Sequence, residues 1–372
     1  MEPRSIPRRQ LRAAAFTALL SPLLRVVPRL PVLIAGRGAW LGVLPVLPAL
    51  LLLGALMDAL ARAAAPGEGL AGLIRRALGP VFGRLFLLLW TAWLLVYAGF
   101  ILRNGAVRLT AAVYQQSRPA PFILILWLLC FTASLGRLEA VVRAGTALRS
   151  LLAAVLVLTL ALALSDLSPG ELLPLSPADG PPILRGAAPI LAVGGAGAAF
   201  FFLEYRAEED ERGRGRFVLP AGALCLLAGL LCLESVGVFG PALASRLSYP
   251  YFTMMRDISV SGLAQRFEAL VIALWVGADY MMCSLLLRCA HETLRPVFRL
   301  PASDGPPMLS LGRGRLLLWG EAAAALLAAW LMAPTPEGYQ LWSDILVPSV
   351  TGALVFGGFP LVWLTGKLRK LL

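Results

Sequence analysis

Long charge-free apolar runs, not alternating or one-faced patterns, dominate this chain. Seven of them, at 38–57, 85–102, 119–136, 150–165, 186–203, 217–233 and 345–366, approach or reach the length that crosses the hydrocarbon of a bilayer as a helix. Three more are interrupted: 12–32 by Ser21, Pro22 and Arg25, 267–290 by Glu268 and Asp279, and 315–333 by Glu321. Ten spans follow, and no run is left over for a soluble domain. The pattern predicts an all-α polytopic membrane protein forming a single transmembrane domain.

Ten spans divide into two fives, one over about 12–165 and the other over about 186–366. The first member of each half is broken: span one at Ser21-Pro22, and span six at Gly194, Gly195 and Gly197. Proline removes a backbone donor and glycine weakens a helix, so both places are expected to expose unpaired N–H and C=O groups at membrane depth. Such backbone is tolerated only against a cavity or buried in protein. Either break alone also fits close helix packing. Their recurrence at positions one and six favours discontinuous helices 1 and 6 in a five-plus-five inverted repeat with a midplane site.

Composition agrees with the pattern. Hydrophobic residues make up 59% of the 372 and charged ones 15%, with a mean hydropathy of +0.79, far from soluble proportions. The net charge of +12 is almost all arginine, with Lys367 and Lys370 the two lysines. No basic face of a soluble domain exists to bind nucleic acid. Placing the N-terminus inside puts 23 of the 33 basic residues in the inward loops, so both termini read as cytoplasmic, which an even number of spans requires. After the opening MEPRSIPRRQLR and the short run AAAFTALLSPLL, Arg25 follows directly with no A-x-A cleavage site, and the segment reads as a retained N-terminus entering the first span.

Ionisable residues inside spans carry the sharpest functional signal, because each costs at least about 2.5–3.5 kcal/mol at a helix centre without a partner. They are Arg25, Glu204, Glu234, Glu268, Asp279 and Glu321. Eleven residues separate Glu268 from Asp279, about 20° from three full helical turns, so both carboxylates share a stripe with Trp275. Glu204, Glu234 and Glu268 fall near span ends, where an interfacial place serves equally well. Asp279 lies twelve residues into its span. Tyr97, deep in span three, offers either a hydroxyl to a cavity or an ordinary packing ring.

No enzyme constellation emerges: G-x-S-x-G, H-E-x-x-H and a phosphate-binding glycine loop are all missing, and GGAGA sits within a span with no following lysine. Cys130, Cys225, Cys232, Cys283 and Cys289 form no C-x-x-C pair and read as small packing residues, with neither a metal site nor a cofactor implied. His291, followed by Glu292 near the end of span eight, reads as interfacial. The run EYRAEEDERGRGR after span six reads as a solvated, self-compensating loop.

The stretch SRLSYPYFTMMRDISVSGLAQRFEALVIALW at 245–275 resembles the signature of the endospore germination permeases, the B subunits of nutrient germinant receptors. The matches are Arg256, Ile258, Ser259, Arg266, Glu268, Ala269 and Trp275, with Gln265 where the family usually has a glutamate. IPRRQL at the start, GRGAWLGVL at 36–44 and VFGP at 238–241 resemble further family elements. The resemblance implies the amino acid, polyamine and organocation superfamily, with a LeuT-type fold. It also implies a subunit that senses a small nutrient such as an amino acid in the spore inner membrane, beside an A-type membrane subunit and a C-type lipoprotein.

The pocket implied lies between spans one, three, six and eight. It would take in Thr17, Ser21, Pro22, Tyr97, Gly194, Gly195, Gly197, Trp275 and Asp279. A nutrient carboxylate is expected to meet N–H groups freed at the span-one break. Arg25 after that break and the Gly-Ala sequence of span six depart from the family's usual pattern. A proton- or cation-coupled amino-acid transporter is the alternative, with Asp279 as its titratable site.

Overall fold

In the computed structural model, residues 6–65, 68–112, 114, 116–206, 218–257, 264–300, 312–332 and 336–372 are described, and they are helical almost throughout. Helix α1 spans Arg8–Ala35 and joins α2, Val43–Ala63, through a 3₁₀ turn at Gly36–Gly42. The amphipathic α3, Gly69–Leu78, buries Leu70, Leu73, Ile74 and Ala77 and turns Arg76 outward, while the half-buried Arg75 donates to the Pro296 carbonyl at 2.6 Å. Then follow α4, Phe82–Ala112, α5, Pro119–Leu135, and α6, Leu138–Ala163. The second half holds α7, Gly180–Gly195, continued as a 3₁₀ helix over Ala196–Arg206, and α8, Val218–Ala244, kinked at Gly240 with φ +69°. It closes with α9, Pro250–Asp257, α10, Ala264–Leu294, α11, Arg313–Leu331, and α12, a helical run over 336–368 with two π turns.

Among the described residues, eight segments are long and apolar enough to cross a membrane. The first, Arg8–Ala63, contains both α1 and α2, and α5 has only 17 residues. The expected count of ten is reached only by dividing the first segment at Gly36–Gly42 and adding α5. Helix α5 shows why the exterior suits lipid: Leu124, Ile125, Leu128 and Leu129 are exposed on one side, while Ile123, Leu126, Cys130 and Phe131 are buried on the other. A helix apolar on both faces, one of them outward, belongs in a bilayer.

Helix α1 is the central post, packed against α6, α7, α8 and α10. The two expected discontinuities take different forms. Span six changes from α to 3₁₀ winding where Gly195 meets Ala196. Span one is helical from end to end despite Pro22, Pro28 and Pro31, so no turn is opened at Ser21-Pro22. Each proline deprives one carbonyl four residues earlier of its donor, and side chains can replace a donor without unwinding. The Val27 carbonyl, orphaned by Pro31, accepts the Cys232 thiol at 3.2 Å. Cys232 and the other four cysteines are buried and unbridged.

Some boundaries also moved. Span three runs ten residues beyond Leu102, and spans five and seven extend well outside their apolar cores. Helix α4 lies so close to α11 that a Cβ on Gly99 would stand 2.7 Å from the Ala325 carbonyl and 2.8 Å from the Ala329 nitrogen. Backbone atoms cannot step aside singly, so Gly99→Ala must push the helices apart. It is expected to cost about 1–3 kcal/mol and lower the thermal unfolding midpoint in detergent, read by tryptophan fluorescence. Gly320→Ala, where a Cβ meets nothing within 4 Å, is expected to leave the midpoint unchanged or slightly raised.

Candidate functional site

A buried ion pair stands at the centre of the bundle. Asp279 of α10 is 3% exposed, and its Oδ2 accepts from the Nη2 of Arg108 on α4, which is fully buried. The other carboxylate oxygen accepts the Ser21 hydroxyl of α1 at 2.5 Å. Trp275, one turn before Asp279, donates its indole N–H to the Ser21 carbonyl at 3.3 Å and lies beneath the Arg108 guanidinium, 4.1 Å from its ring centre. Gly105 makes the approach possible, since a Cβ there would stand 2.8 Å from Asp279 Oδ2. Three helices thus supply a cation, an anion, a hydroxyl and a π face to one another.

Arg108 and its neighbour Asn104 escaped the sequence reading because the charge-free run of span three stops at Leu102. The signal was nonetheless present. Tyr97, Ile101, Asn104 and Arg108 follow at steps of four, three and four residues, one continuous face of a helix prolonged past the apolar run.

The nine expected site residues fall into separate neighbourhoods. Ser21, Trp275 and Asp279 share the Arg108 network. Pro22 and Tyr97 line a small cavity between α1, α4, α7 and α12, together with Arg25, Asn104 and Thr351. It offers about 10 Å³ to the centre of a water-sized sphere, room for one water. Gly194 and Gly197 line a larger apolar crevice of about 60 Å³ at the N-terminal end of α1, walled by Leu19, Leu50, Phe200 and Phe201. Gly195 faces the Phe356 ring of α12, 3.0 Å from where its Cβ would be. Thr17 spends its hydroxyl on the carbonyls of Ala13 and Gly145. Because α1 is continuous, it presents no freed N–H groups at Ser21-Pro22.

The other charges inside the bundle are mostly paired. Arg12 reaches Glu204 at 3.2 Å and Asp58 at 3.4 Å beside the apolar crevice. Arg29 of α1 bridges to Asp344 of α12 at 2.7 Å. His291 is buried, with Nδ1 3.1 Å from Glu321 Oε2 on α11. Glu234 is 1% exposed and its Oε2 has no partner. The side chains of Arg256, Arg266, Glu268 and Ala269, and residues Ile258 and Ser259, lie outside the described residues. Among the described residues no group of three or more His, Cys, Asp or Glu stands together to hold a metal ion.

Removing one partner of a buried pair strands the other charge, whereas replacing both by apolar groups does not. Asp279→Asn is therefore expected to cost about 3–5 kcal/mol, seen as loss of the monodisperse peak in detergent gel filtration. The double variant Arg108→Met/Asp279→Leu is expected to recover most of that peak.

The arrangement of helices is similar to the crystal structure of MhsT in complex with L-phenylalanine, a LeuT-fold transporter. The TM-score is 0.57 at 16% identity, over 96% of this chain and 94% of that one. No curated protein matches the chain. The family model described as spore germination protein, the spore permeases, matches residues 24–311. That span takes in Arg108 and Asp279, Arg25 and Asn104, and most of the helical bundle, and so this multi-pass membrane protein belongs to the spore germination permease family.

Proposed function

We propose that the chain is the membrane subunit of a nutrient germinant receptor, which binds a small nutrient such as an amino acid and passes the signal on to an A-type membrane subunit and a C-type lipoprotein. The family match over residues 24–311 carries this reading. The fold adds support, since its solved neighbour MhsT holds L-phenylalanine. Binding signals only if the nutrient prefers one arrangement of the helices over another. The small volume near Arg25 fits a closed arrangement that must open to admit a ligand. Both termini sit in the cytoplasm by the charge of the loops, with the chain in the spore inner membrane.

A coupled transporter is the second reading. Its expected titratable site, Asp279, already has a cation in Arg108 and a donor in Ser21, so a coupling ion has no vacant carboxylate there. Neither family nor fold is that of an enzyme.

The two readings separate in reconstituted liposomes. The receptor is expected to bind labelled amino acid without accumulating it under a proton or sodium gradient, whereas gradient-driven accumulation assigns a transporter. In spores carrying the chain, Gly195→Leu, which drives a side chain into Phe356, is expected to abolish the germination response. The chain is also expected to co-purify with the A-type and C-type subunits.

A further inference from the structure

We infer that Arg25, Asn104 and Thr351 form an anion site that takes the carboxylate of the ligand. This inference rests on the nutrient-binding reading above. Arg25 is 6% exposed at the middle of α1, its guanidinium held between the Phe100 ring at 5.0 Å and the Tyr339 ring at 4.8 Å. Its Nη1 is buried with no partner. Asn104 of α4 is fully buried, and its Oδ1 accepts the Tyr339 hydroxyl at 2.6 Å, which leaves the amide Nδ2 without a partner. The Thr351 hydroxyl of α12, 3% exposed, has none either.

All three residues line one cavity. Buried polar groups are rarely left unpaired, and here a guanidinium N–H, an amide N–H and a hydroxyl from three helices are unpaired together. No acidic side chain lines that cavity. Among the described residues, Asp344 of α12 is engaged by Arg29, and Asp279 of α10 by Arg108 and Ser21. The cluster is thus donor-rich and carries one uncompensated positive charge. A carboxylate has only acceptors, with lone pairs for several donors, and guanidinium is its matching partner.

The present volume admits one water-sized group, enough for a single carboxylate oxygen. The remainder of a ligand enters when α1 and α12 part. The Arg29–Asp344 pair joins those same helices, Arg29 lying one turn beyond Arg25 and Asp344 two turns before Thr351. The span-one backbone, expected to receive the carboxylate, is replaced in this role by a side chain four residues after Ser21.

The test uses the full chain in detergent and reads shifts of the unfolding midpoint. The probes are the twenty common amino acids, their carboxamides, sodium acetate and sodium chloride. The expected result is that at least one amino acid stabilises the wild type while its carboxamide does not, and that Arg25→Gln weakens that binding at least tenfold. Asn104→Asp places a carboxylate beside Arg25, retains the acceptor for Tyr339, and is expected to raise the unfolding midpoint while abolishing binding. Asn104→Asp decides the matter if Arg25→Gln fails to fold.

Equal stabilisation by acid and carboxamide, or undiminished amino-acid binding in Asn104→Asp, overturns the carboxylate site and leaves nutrient binding standing. Stabilisation by acetate alone, lost in Asn104→Asp, supports the site and counts against an amino acid as the nutrient. Stabilisation by chloride with no carboxylate effective overturns the assignment in favour of a halide.

Discussion

A charge in the hydrocarbon has to find its opposite, and in this protein that requirement is met by Arg108 and Asp279. The pair joins α4 to α10 at a depth where neither group has water. Everything around it serves the same need: Ser21 supplies a hydroxyl from α1, Trp275 a ring face, and Gly105 the missing side chain that lets the carboxylate come close. A pair of this kind adds little net stability over an apolar core, yet it penalises any packing that separates its members. It therefore fixes the register of α4 against α10 and ties both to α1, the helix about which the rest of the bundle is packed.

Much of this architecture was legible in the order of apolar runs. The runs place the principal spans, the glycines of span six mark where its winding changes, and Asp279 stands out by its depth alone. The site itself was less legible. A count of charge-free residues ends span three at Leu102, although the helix continues for ten residues with Arg103, Asn104 and Arg108. Burial of an arginine is set by partners on other helices, which a local window cannot see. The same blindness explains α1: its prolines predict a break when the helix is considered alone, but the side chain that pairs with the carbonyl orphaned by Pro31, that of Cys232, lies far along the chain.

The bundle divides polar chemistry from space. Its larger crevice is apolar, with the Arg12, Glu204 and Asp58 charges at one edge. Its polar donors gather around a volume fit for one water. A chain arranged in this way has chemistry ready for a small polar ligand and little room for it at rest. A ligand that needs more room than this can be held only if the helices move apart.

The 3₁₀ winding of Ala196–Arg206 carries a dimensional consequence. Its rise is about 2.0 Å per residue, against about 1.5 Å in an α-helix, so rewinding these eleven residues as α-helix would shorten the segment by roughly 5 Å. Glu204 near its end is tied to Arg12 on α1. The segment therefore stores about one helical turn of slack, and taking it up would draw the N-terminal end of the central post along with it.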